Sequence, residues 1–164
     1  ASSCEQLHEL RHGEDEVEDV GYLDGGKVLA VLWTSGSVQT WHSATGQGLH
    51  IFGEAAASVP HWLFPVPGGR VVTLTSHDAV VWNATSGERL LDLRPANGFI
   101  CGVAASPDGG LLAASSLEGA VSMWDLSTGR SMSFRPDESS EEDIARCRMQ
   151  FSSVAPWDPN SFGR

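Results

Sequence analysis

Cations are scarce in this 164-residue sequence. It has one lysine, Lys27, and 10 basic residues in all against 21 acidic ones, for a formal net charge of −11. That balance argues against broad binding to a phosphate backbone, which needs clustered Lys and Arg; it permits a partner with a basic surface, though solubility is the plainer reading. Cysteine is sparse too. Cys4, Cys101 and Cys147 lie far apart in no metal or redox spacing, a pattern suited to a reducing compartment. No run approaches the roughly 18 apolar residues that span a bilayer as a helix. The sequence opens with neither Met nor a secretory leader, so a processed N-terminus or an excerpt of a longer chain is expected, with a cytoplasmic or nuclear location.

Catalytic signatures are missing as well. There is no nucleophile elbow and no Gly-rich phosphate loop with its lysine. The six histidines, at 8, 12, 42, 50, 61 and 77, fall into no ligand spacing. No enzyme activity, metal or cofactor is expected. Hydrophobic residues nevertheless make up 41% of the chain, enough to build a core rather than leave it disordered.

What the sequence does contain is a repeat. Trp41, Trp82 and Trp124 stand 41 and 42 residues apart, and Gly46, Gly87 and Gly129 keep the same two steps. In Asp24-Gly25-Gly26, Pro67-Gly68-Gly69 and Asp108-Gly109-Gly110 the first glycine precedes one of the tryptophans by 14 to 16 residues. Glycine supplies the positive φ of tight hairpins, so each cluster reads as a turn between short β-rich runs. A further echo links Leu7-His8-Glu9-Leu10-Arg11, Leu90-Leu91-Asp92-Leu93-Arg94 and Ser131-Met132-Ser133-Phe134-Arg135.

Each period holds four short antiparallel strands. They are expected at 17–21, 27–33, 36–41 and 48–52, then at 60–65, 70–75, 78–83 and 89–93, then at 99–105, 111–116, 119–125 and 131–135. The repeats so defined run 17–52, 59–93 and 99–135. Residues 5–11 read as the outer strand of a preceding unit, 136–143 as an acidic loop, and 144–164 as the start of a further unit. Sheets this small cannot bury both faces alone and must stack on neighbours. The expected fold class is all-β.

These landmarks resemble the WD-repeat β-propeller family. The period, the Ser106-Pro107-Asp108-Gly109 turn, the Trp124-Asp125 dipeptide and the Ser127-Thr128-Gly129 turn carry the likeness, over about residues 5–135. The resemblance implies propeller blades of four antiparallel strands each, in an incomplete ring, since three repeats are fewer than propellers commonly carry. It also implies a rigid, non-catalytic platform for protein–protein interaction. The repeated Trp41, Trp82 and Trp124 would then be structural wedges between blades. Two departures stand out. Trp41 is followed by His42 and Trp82 by Asn83, and the family's Gly-His landmark survives only as His12, after Arg11. The family's His–Ser/Thr–Asp network is therefore expected to be incomplete.

Candidate partner-binding residues lie in loops between strands: Glu14, Asp15, His77, Asp78, Glu118 and Glu138. The run Asp137-Glu138-Ser139-Ser140-Glu141-Glu142-Asp143 concentrates negative charge, and Ser139 and Ser140 resemble sites of acid-directed kinases. Asn83-Ala84-Thr85 fits a glycosylation acceptor, but its place in a repeated hairpin turn accounts for it fully. Two other functions fit a chain of this kind: a regulatory sensor appended to an NTPase, and, with less support, a quinoprotein-like enzymatic propeller.

Overall fold

The computed structural model describes residues 7–53, 59–95, 99–117 and 119–134. Over these residues the chain folds into three four-stranded antiparallel sheets, each built from strands adjacent in sequence. The first sheet comprises β1 (Val17–Leu23), β2 (Val28–Trp33), β3 (Val38–His42) and β4 (Gln47–Phe52). The second comprises β5 (Trp62–Val66), β6 (Arg70–Leu74), β7 (Ala79–Asn83) and β8 (Arg89–Leu93). In the third are β9 (Ile100–Ala105), β10 (Leu111–Ser116), β11 (Val121–Asp125) and β12 (Ser131–Phe134). Every strand end lies within two residues of the expected one. Glycine punctuation and β-branched runs fix local geometry here without help from distant residues.

Two turns recur in each sheet, and their chemistry is local. In the third sheet the Ser106 hydroxyl donates to Asp108 Oδ1 (2.6 Å), which also accepts the Gly110 N–H (2.9 Å). Gly109, at φ 72°, closes the turn with a bond to the Ser106 carbonyl. In the first sheet the corresponding Asp24–Gly26 forms a single 3-10 turn, with Asp24 itself at φ 49°.

The turn after each repeated Trp explains the departures from a Trp-Asp pair. Asp125 Oδ1 accepts the backbone N–H of Ser127 (2.8 Å) and Thr128 (3.1 Å), and Asn83 Oδ1 accepts those of Thr85 (2.9 Å) and Ser86 (3.1 Å). An amide oxygen therefore does the same work as a carboxylate oxygen. At His42 only the backbone carbonyl serves, accepting from Thr45 and Gly46. The Ser127 hydroxyl and these backbone amides hold the Asp125 carboxyl below the usual carboxylate range. A carboxyl depressed on folding contributes stability that is present above its unfolded pKa and lost as pH falls through the folded value. We expect Asp125→Asn to keep the turn and to flatten that acid-limb dependence, measured as Tm against pH between about 2 and 6. Equal slopes in the two proteins would count against the assignment.

By internal packing the chain divides into two units, one through Leu93 and the other from Arg94. In the first unit the core lies between the first and second sheets. Ala30, Leu32, Val38 and Phe52 meet Leu63, Val71, Trp82 and Ala84, all buried. Phe52 and Trp82 lie with ring centroids 5.6 Å apart. Trp82 Nε1 donates to Thr73 Oγ1 at 2.9 Å, so the one polar atom of this wedge is satisfied within its own sheet. β1 runs beside β5 closely enough that a Cβ added at Gly21 would lie 2.5 Å from Pro65 Cγ. In the second unit Trp124 is buried beside Leu112 and Ala114, residues of its own sheet face.

Candidate protein-interaction rim

Because β1 and β5 run in the same direction side by side, their leading loops lie at one end of the first unit. The β2–β3 and β6–β7 turns share that end by antiparallel pairing. Four loops thus form one rim. Its first loop is a turn closed by the Asp15 N–H to the His12 carbonyl (3.1 Å). His12 stacks on Trp33, with ring centroids 5.5 Å apart, and its Nε2 lies 3.9 Å from Asp15 Oδ2. Glu14 is exposed and Asp15 is half-buried. Glu16 is anchored to the β2–β3 turn, its N–H donating to Thr34 Oγ1 (3.2 Å) and its carbonyl accepting from the Thr34 N–H (2.9 Å).

Two contacts tie the first sheet to the second along this rim. His61 Nδ1 lies 2.6 Å from Glu18 Oε1, and Asp19 Oδ2 accepts the Leu63 N–H at 2.8 Å. Neither contact was legible in the sequence. The one available signal was the placement of two acids inside a strand-like run, where β1 loses its regular register between Val17 and Asp19. In the β6–β7 turn, Thr75 Oγ1 accepts the N–H of His77 (3.1 Å) and of Asp78 (2.9 Å), fixing both residues at the same end.

Of the loop residues singled out from sequence, Glu14, Asp15, His77 and Asp78 therefore share a rim. Glu118 and Glu138 lie outside the described residues, as do Ser139 and Ser140 and the segments 136–143 and 144–164. The stretch from Glu9 to Asp19 carries six carboxylates against the single guanidinium of Arg11. Arg11 itself is paired with Glu9, its Nε donating to Oε1 at 2.8 Å. The acids of this stretch outnumber its cations and give the rim a negative field that a low-dielectric protein surface beside it would strengthen.

The repeated landmarks occupy equivalent positions with unequal surroundings. Trp82 and Trp124 are buried at 7% and 3% exposure, whereas Trp41 is half-buried. The counterpart of Thr73 in the first sheet is Val31, which offers Trp41 no acceptor. Gly46, Gly87 and Gly129 all adopt positive φ, 67°, 73° and 70°, which is why the hairpins call for glycine there. Among the described residues, no group of three or more His, Cys, Asp or Glu could hold a metal ion. Among the described residues no helix is long and apolar enough to cross a membrane.

Comparison with solved structures places this fold. The chain matches U3-55K with a TM-score of 0.66 at 14% identity, covering 77% of this chain and 41% of that one. It matches the WD40 repeats of RRP9 with a TM-score of 0.66 at 15% identity, over 77% of this chain and 40% of that one. A chain of the mitotic checkpoint complex gives a TM-score of 0.63 at 16% identity, over 77% and 39%. No protein-family model and no curated protein matches the sequence. At these identities the likeness defines the fold alone: the three sheets are β-propeller blades. The chain spans about two-fifths of the length of these propellers.

Proposed function

We propose that this chain is a non-catalytic protein-interaction scaffold, a segment of a larger WD-type propeller with repeat units at 17–52, 59–93 and 99–135. Its acidic rim contacts a partner with a basic surface. The observation that carries this reading is the shared placement of Glu14, Asp15, Glu16 and Glu18 beside His77 and Asp78, on loops held by backbone bonds. Fixed loops with one sign of charge steer a partner of the opposite sign and set its register. Glu118 and Glu138 extend the same proposal on sequence grounds. One of the similar structures is a mitotic checkpoint complex, which supports a role in assemblies. A cytoplasmic or nuclear location belongs to the same proposal.

The reading is tested with an arginine-rich peptide as probe. Binding should weaken as salt rises from about 0.05 to 0.5 M, because the Debye length shrinks over that range. Charge reversal at Glu14, Asp15 and Glu16 together should weaken it by at least about tenfold at low salt. Unchanged affinity in the triple variant would remove the rim from the proposal.

A further inference from the structure

Three of the six histidines stand on the rim, and each has a carboxylate for a neighbour. His61 Nδ1 lies 2.6 Å from Glu18 Oε1, and His12 Nε2 lies 3.9 Å from Asp15 Oδ2. His77 precedes Asp78 in the β6–β7 turn and is exposed. The other three lie elsewhere in the first unit. His42 ends β3 and His8 reaches the Ala44 carbonyl oxygen, both at the far end of the first sheet, and His50 lies on β4. Imidazole is the side chain that ordinarily changes charge between pH 5 and 8, whereas carboxylates ordinarily stay charged over that range. The rim therefore carries two kinds of charge, one fixed and one set by protons.

The geometry of each pair sets what a proton does there. An ionised carboxylate only accepts, so His61 Nδ1 donates to Glu18 and Nε2 is left as the basic nitrogen. The His61 side chain is 52% exposed, so a proton reaches the ring from solvent without breaking that contact. Charging the ring turns the pair from one net negative charge into none. The His12 ring lies over Trp33, and its charged form faces Asp15 at ion-pair distance. The charged groups around these rings are Glu14, Asp15 and Glu16 in the first loop, Glu18 and Asp19 on β1, and Asp78 after β6. Asp19 is committed to the backbone N–H groups of Val20 and Leu63. β2, β5 and β7 bring no charged side chain, and Arg70 of β6 lies at the far end. Arg11 is the one guanidinium among the described residues of the four loops, and Glu9 already pairs with it. Charging all three rim imidazoles would cancel half of the charge of those six carboxylates.

We propose that the rim is proton-gated: it holds a basic partner while His12 and His61 are neutral and releases it as they charge, with His77 adding to the effect. The inference rests on the scaffold reading above and adds how that site is regulated. Each imidazolium sets a like charge beside the partner's cations and engages a carboxylate that the partner would otherwise use. Linkage fixes the converse, so a bound cationic partner drives protons off these rings. The response is local. His8 and His42 also meet protons, but they stand at the other end of strands about 15–20 Å long. That exceeds the Debye length of roughly 8 Å at physiological salt.

The probe is the arginine-rich peptide, N-acetylated so that it carries no group titrating in this range. In about 0.15 M salt its affinity for the unmodified chain should fall by about tenfold between pH 7.5 and 5.5. His12→Gln with His61→Gln should reduce that fall to less than about threefold. His8→Gln with His42→Gln should leave it whole. A second measurement keeps the rings in place, in case the rim variant does not fold. Calorimetry at pH 6.5, in two buffers of different ionisation heat, should show about half a proton or more released per peptide bound. The gate is overturned if affinity is constant between pH 7.5 and 5.5, if the rim variant keeps the whole dependence, or if no proton leaves on binding. Failure of the underlying reading has a different signature. No binding at pH 7.5, or binding indifferent to charge reversal at Glu14, Asp15 and Glu16, sinks the rim and the gate together. Binding that falls with salt and with those reversals but ignores pH sinks the gate alone.

Discussion

Replacing Trp82 with alanine is expected to cost about 3–5 kcal/mol, a large part of the stability of a domain of this size. The indole is 7% exposed and fills the space between two sheets, against Phe52, Val71 and Leu63. Its loss leaves a cavity that two hydrogen-bonded sheets cannot collapse to fill. It also strips the Thr73 hydroxyl of its partner. Urea unfolding followed by far-UV circular dichroism measures the effect. Trp41→Ala provides the internal comparison, because a half-buried side chain with an unpartnered Nε1 has less to lose. Equal costs at the two positions would contradict the wedge role assigned to Trp82.

The second large effect is expected at Gly21. Its φ is not in the left-handed region, so a side chain is excluded by space rather than by backbone conformation. A Cβ there would lie 2.5 Å from Pro65 Cγ and 2.9 Å from Leu63 Cδ2. The proline ring cannot rotate away, so Gly21→Ala must push β1 and β5 apart, at about 1–3 kcal/mol. The chain-entropy gain of a Gly→Ala change, about 0.4–1 kcal/mol, offsets only part of that. Separation would also stretch the Asp19–Leu63 and Glu18–His61 contacts that hold the rim. Gly102, another glycine inside a strand, meets only the movable Ser115 hydroxyl, at 3.0 Å. Gly102→Ala should therefore shift Tm much less than Gly21→Ala, and the reverse order would refute the close-approach argument.

The repeat could be read from sequence because its determinants are local. Gly46, Gly87 and Gly129 are required by positive φ in hairpins, and the residue after each Trp either closes its turn, as Asp125 and Asn83 do, or leaves the task to the backbone, as His42 does. Those requirements act over a few residues, so one period in the chain yields one sheet in space. The candidate rim was only partly legible. Charge and loop position marked Glu14, Asp15, His77 and Asp78, but nothing local indicates that Glu18 meets His61 across 43 positions.

Sequence by itself determined that the chain makes short antiparallel sheets, where each strand begins and ends to within two residues, and that its charge is one-sided. Turn chemistry and alternation operate within a hairpin and need no distant partner. Tertiary structure decided the rest: which face of each sheet is covered, that Trp82 is enclosed while Trp41 is not, and that residues 7–12 lie across the back of the first sheet. The reason is physical. Identical local patterns give identical strands, but burial depends on what stacks against them, and only the packed sheets supply that.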